Sequence, residues 1–160
     1  MDKDRSIIIG SDHAAFGLKE KIKEFLHGKG YVVEDVGTHN EDSVNYVDFG
    51  EKVARAVSEG KFYRGILLCG TGLGMSMVAN KFPRVRAALC SDSFSARMSR
   101  AHNDANILVM GGRILGDIFA FDLVQTWLDS DFEGGRHLDR IQCIDKLNFD
   151  NLNLDNLNGK

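Results

Sequence analysis

Five times along this chain a short apolar run gives way to a longer stretch with apolar residues at helical spacing, and no other feature restricts its fold so tightly. The runs cover residues 6–9, 31–36, 66–69, 87–90 and 107–110; the amphipathic stretches cover 18–27, 46–58, 75–82, 94–102 and 115–128. Regular alternation of this kind predicts an α/β fold, a three-layer α/β/α sandwich around a five-stranded, parallel, Rossmann-like sheet with right-handed crossovers. Open sheets of this type bind ligands beyond the carboxyl ends of their strands. The unusual residues gather at those ends: Ser11-Asp12-His13, Gly37-Thr38, Cys69 to Gly74, Ser91-Asp92 and Gly111-Gly112-Arg113.

The 160 residues predict one domain over residues 1–147, followed by an Asn/Asp/Leu-rich segment, 148–160, expected to be a flexible tail. A formal charge of −3 argues against nucleic acid or an anionic membrane as the main partner, because both need clustered Lys and Arg. Cys69, Cys90 and Cys143 are odd in number and lack CxxC spacing, so reduced thiols and a cytoplasmic location are expected. The apolar run at residues 7–9 is far too short for a signal sequence or a membrane span.

Cys69-Gly70-Thr71-Gly72-Leu73-Gly74 joins a thiol, a hydroxyl and three glycines between a buried strand and a helix. Backbone N–H groups in such a turn converge on one point and form a nest for an oxyanion. The same field favours a thiolate, the form of cysteine that takes up a proton. The spacing and the position after the third strand fail the dinucleotide pattern. A cysteine phosphatase loop would need arginine where Met75 stands. What remains is proton abstraction beside a carbonyl, with the nest holding the enediolate oxygens, or else a tight turn around a buried cysteine.

Asp12 and His13 follow the first strand, so they either face the crevice or cap the first helix. Arg136 and Arg140, four residues apart after Gly134-Gly135, share a helix face and can grip one phosphate or simply face solvent. His102, ahead of the fifth strand, is either a proton shuttle or a helix-terminal histidine favoured by the dipole. No group of His and carboxylate residues at metal-ligand spacing is visible, so neither metal nor other cofactor is expected.

Taken together, Gly10-Ser11-Asp12-His13, Cys69 to Gly74, Ala79-Asn80-Lys81, Arg100 to Asn106 and Gly134-Gly135-Arg136-His137 resemble the ribose-5-phosphate isomerase B family, within the wider ribose and galactose isomerases. The resemblance spans about residues 5–147. It implies interconversion of D-ribose 5-phosphate and D-ribulose 5-phosphate through an enediolate, as in the non-oxidative pentose phosphate pathway. Cys69 would be the base, and Gly70, Gly72, Leu73 and Gly74 would form the nest. His102, with Thr71, would open the sugar ring. Asp12 and Asn103 would bind hydroxyls, Tyr46 would line the crevice, and His13, Arg113, Arg136 and Arg140 would hold the phosphate. One branch of the family carries a glutamate base where this chain has Met75, so the cysteine version applies.

The family also implies a homodimer or tetramer with sites built from two subunits, Arg113 or His102 crossing the interface. Allose 6-phosphate and galactose 6-phosphate isomerases are the nearest rivals; His102-Asn103-Asp104 favours the pentose enzyme over the galactose type, and the allose type stays open. A sugar-phosphate sensor without turnover is the rival of another class. It would need the arginines and the nest but neither Cys69 nor His102.

Overall fold

The computed structural model describes residues 5–147, and the expectation of a flexible tail at 148–160 falls outside them. Five parallel strands, β1 (Ser6–Ser11), β2 (Val32–Asp35), β3 (Arg64–Cys69), β4 (Ala87–Leu89) and β5 (Ile107–Gly111), form one sheet in the order β2-β1-β3-β5-β4. The helices are α1 (Phe16–Gly28), α2 (Tyr46–Ser58), α3 (Leu73–Ala79), α4 (Ser93–Ala101), α5 (Asp117–Leu128) and α6 (Arg136–Asp145). A 3-10 turn, His13–Ala15, leads directly into α1. The three-layer architecture is as the alternation requires. No helix among the described residues is long and apolar enough to cross a membrane.

Alternation along each central strand sorts its side chains into two cores. Ile7, Ile9, Ile66, Leu68, Leu108 and Met110 pack with Leu18, Ile22 and Leu26 of α1 and with Leu123, Val124 and Trp127 of α5. Ile8, Leu67, Cys69, Ile107 and Val109 face the other way, onto Val53, Ala54 and Val57 of α2 and Met75 and Ala79 of α3. Strands buried on both faces are apolar without a break, which is why these runs carry no visible alternation in sequence.

After β1 the chain crosses to β2 on one side and then returns to place β3 on the other. The reversal opens a crevice beyond the ends of β1 and β3. Ser11 pairs with Leu68 in the register, so Asp12 and Cys69 leave the sheet side by side. β5 lies next to β3, with Gly111 opposite Cys69, and brings Gly112 and Arg113 to the same edge.

Beside the crevice, a buried ion cluster fixes the end of β2. Lys19, fully buried, pairs with Asp35, and Lys23 reaches the same carboxylate at 2.6 Å. Asp35 also accepts the N–H of Gly37 at 2.9 Å. Gly37 and Thr38 in turn bond the backbone of Ser11, at 2.7 and 2.8 Å. Burial pushes the Asp35 carboxyl up, but the hydrogen bonds from Lys19, Lys23 and Gly37 outweigh it and hold it below the ordinary aspartate value.

A carboxyl with a depressed folded-state value contributes stability that is complete above its unfolded value of about 3.9 and is lost as pH falls through the folded one. Urea midpoints measured from about pH 6 down to about pH 3 are expected to fall, with a shallower slope in Asp35→Asn. Equal slopes for the two proteins would remove Asp35 from the acid response.

Candidate active site

The loop after β3 is held from three sides. Gly112 donates its N–H to the Cys69 carbonyl at 2.8 Å, and Arg113 donates to that of Gly70 at 3.0 Å. Asp12 donates to the Leu68 carbonyl at 3.2 Å. Gly72 sits in the left-handed region at φ +79, where side chains are disfavoured, and turns the chain into α3. Its N–H then points back at Cys69 Sγ, 3.2 Å away. The first ladder bond of α3 runs from Ser76 to the Gly72 carbonyl, so the loop N–H groups ahead of it are the orphan donors of a helix start. A buried thiol receiving an N–H bond beside further donors is the arrangement that can move a proton next to a stabilised oxyanion.

Other predicted residues gather around this loop. Asp12 is buried and its Oδ1 accepts the Ala14 N–H at 3.0 Å, so it caps the 3-10 turn and still stands at the crevice. His13 Nδ1 accepts the Val44 N–H at 3.2 Å, which leaves Nε2 as the proton-bearing donor of the neutral ring. Arg113 is exposed, and its Cδ lies 3.6 Å from where a Cβ on Gly70 would be. Thr71 is exposed, and its Oγ1 accepts the Leu73 N–H at 3.4 Å. Tyr46 lies across Gly74, where a Cβ would come within 2.6 Å of the ring. Met75, by contrast, is fully buried and packs toward Gly50.

His102, Asn103, Arg136 and Arg140 stand elsewhere in the same chain. His102 ends α4, and the Asn106 carbonyl just beyond it accepts the Gly65 N–H at the start of β3. Gly65 and Cys69 are four steps apart, about 13 Å of strand at ordinary rise. His102 and the cysteine loop therefore lie toward opposite ends of the strands, and within one chain Thr71 is not beside His102. Asn103 lines a cavity of about 610 Å³ at that far end, with Lys81, Arg84, Arg86 and Asp145, and the thiol has no part in it. Arg136 and Arg140 are exposed on α6.

His102 has company that the sequence did not reveal. Its ring stacks on that of His137, with centroids 4.2 Å apart and planes 7° from parallel. Glu133 Oε2 lies 3.7 Å from Nε2 of each histidine. Burial, together with the nearby His102 and Arg136, holds His137 below the ordinary histidine value against the pull of Glu133. The expectation of no His and carboxylate group at metal-ligand spacing is corrected here: His102, Glu133 and His137 place three ligand atoms within 4.8 Å of one another. The one signal in sequence was the four-residue spacing of Glu133 and His137, which the glycines between them make a turn.

Fold and site define a parallel α/β protein whose switch-point crevice holds a thiol, an N–H nest and basic side chains. More narrowly, the chain belongs to the ribose/galactose isomerase family, whose model matches residues 7–144. It is 43% identical over 140 residues to ribose-5-phosphate isomerase B of Escherichia coli, covering 88% of this chain and 94% of that one. The D-erythrulose-4-phosphate isomerase of Pectobacterium atrosepticum is 42% identical, over 87% of this chain and 92% of its own. Among solved structures, ribose-5-phosphate isomerase B of Clostridium thermocellum aligns with a TM-score of 0.87 and 55% identity, over 88% of this chain and 95% of that one.

Gly72→Ala is expected to lower stability by about 1–2 kcal/mol from the left-handed backbone alone. A further loss comes from contact with Leu89 and with the Met110 carbonyl carbon, 3.1 Å from the new Cβ. Thermal unfolding checks it, and an unchanged midpoint would mean that the turn has another conformation.

Proposed function

We propose that this isomerase interconverts D-ribose 5-phosphate and D-ribulose 5-phosphate in a crevice shared by two copies of the chain. The observation that carries the reading is the Gly72 N–H bond to Cys69 Sγ in a loop flanked by Asp12, His13 and Arg113. The Cys69 thiolate takes the proton from C2 of the open aldose, and the electron pair forms the C1–C2 double bond of an enediolate. Loop N–H groups of Gly70 to Gly74 hold its oxygen. The thiol then returns the proton to C1, while the O2 proton passes to O1 and the ketone forms at C2.

His102 is the group suited to opening the ring, and because it stands at the far end of its own sheet from the thiol, a second copy supplies it in this reading. Asn103, Arg136 and Arg140 come with it, whereas Arg113 acts within the chain that owns the thiol. Thr71 then meets the second copy's His102. A two-fold arrangement of this kind gives two identical sites. Leu73, Met77, Phe94, Ile114 and Ile118 are all more than half exposed, apolar surface that a second copy would cover. Asp12 and Asn103 bind hydroxyls, Tyr46 closes one wall, and His13 and the three arginines hold the phosphate. The site needs no metal for this route, and chelator is expected to leave the rate unchanged.

The similarity to a four-carbon isomerase almost equals that to the pentose enzyme, so a shorter sugar phosphate is the second reading. Side-by-side turnover of ribose 5-phosphate, erythrulose 4-phosphate, allose 6-phosphate and galactose 6-phosphate decides among them. The pentose is expected to have the highest kcat/KM. Binding of all four without turnover would identify a sensor instead.

Cys69→Ser keeps the volume but replaces the thiol with a far weaker acid that supplies no base near neutral pH, so turnover should fall by roughly 10²–10⁴-fold while substrate still binds. Arg140→Ala should lower kcat/KM by about 2–4 kcal/mol in transition-state stabilisation. Mixing Cys69→Ser with His102→Asn tests the shared crevice. Each parent is nearly inactive, but mixed dimers hold one intact site, and random exchange should restore about a quarter of the original activity. No recovery after verified subunit exchange would mean that His102 of one copy does not complete the Cys69 site of the other.

A further inference from the structure

We propose that His102, His137 and Glu133 bind a divalent transition-metal ion of the zinc type, and that the bound ion withdraws His102 from ring opening. The second clause rests on the role given above to His102; the binding site does not. Both Nε2 atoms lie 3.7 Å from the same carboxylate oxygen, near one another without a close hydrogen bond. Two ligands of one tetrahedral zinc ion are about 3.3–3.5 Å apart and the ion lies in the plane of each imidazole, so the half-exposed His102 ring has to swing out of its stack on His137 for the three atoms to meet an ion. Two imidazole nitrogens and a carboxylate, with a fourth position open, suit zinc, whereas magnesium and calcium prefer oxygen alone.

The scaffold already holds the ligands in place. Glu133 donates its N–H to the Ala101 carbonyl at 3.0 Å, which ties it to the end of α4 beside His102. Gly134 and Gly135, at φ +66 and +54, turn the chain so that His137 comes back over the same point. His137 donates to the Gly134 carbonyl at 3.1 Å, and its side chain is buried. Arg136 and Arg140, on the same helix as His137, disfavour a cation here and weaken its binding.

The test uses the full chain stripped with chelator and titrated calorimetrically with zinc chloride, with cobalt(II) absorption as the ligand-type readout. A single ion should bind per chain. Even an outer partner of a ligand is worth about 10–100-fold in affinity, so Glu133→Gln and His137→Gln should each weaken binding by about tenfold or more. Glu133 is exposed, and its variant should fold whatever becomes of His137. Cys143→Ser, on the exposed face of α6, should bind as before.

Absence of zinc binding in the titration, undiminished wild-type affinity in both ligand variants, or a thiolate-to-cobalt band lost in Cys143→Ser or Cys69→Ser would overturn the site. In the kinetic arm zinc should slow turnover of the wild type, chelator should restore it, and Glu133→Gln should resist. Full turnover with zinc bound would overturn the link to His102. A chain that turns over no sugar phosphate would defeat the proposed function, and the titration would still decide the metal site.

Discussion

The structure depends on the point at which the strand order of its parallel sheet reverses. β1 is flanked by β2 and β3, and it is buried on both faces by Ile7 and Ile9 on one side and Ile8 on the other. Because β1 and β3 stay in register to Ser11 and Leu68, the two loops leaving them share one opening. The chemistry-bearing residues of both loops inherit their separation from that pairing. Neither loop has to be long, and each is tied by backbone bonds to a strand of the sheet.

Much of this was legible beforehand. Continuous runs such as Ile7-Ile8-Ile9 and Ile66-Leu67-Leu68 are what a strand covered on both faces requires, and the loop residues at their ends followed from the topology. Strand order was not legible, because β5 inserts between β3 and β4 through contacts that no local pattern encodes. The 3-10 turn that begins at His13 was hidden as well, since Asp12 caps it with a bond resembling an ordinary helix cap. For the site, proximity along the chain misled: His102 lies only nine residues from Gly111 yet stands at the other end, because β5 has to run the height of the sheet between them. The stack of His102 on His137 is a tertiary contact across the turn at Gly134 and Gly135, and the sequence held only a spacing for it.

The buried charges around Lys19 link the outer strand to the crevice. Removing a fully buried ammonium from water is costly unless partners surround it, and Asp35 and Glu20 do so here. Asp35 is also the anchor for Gly37, whose backbone fixes Ser11, the residue ahead of Asp12. Cations and anions about the end of β2 thus set the position of a crevice residue they do not touch.

Cys69 belongs to the set of β3 side chains that faces α2 and α3, two residues beyond Leu67, while Ile66 and Leu68 face α1 and α5. The side that receives the thiol is decided by counting along the strand, odd positions one way and even positions the other. Inserting or deleting a single residue in β3 would keep every apolar residue buried and yet turn the thiol into the wrong layer, away from the Gly72 N–H. The composition of β3 decides that it is buried, whereas its length decides which layer receives Cys69.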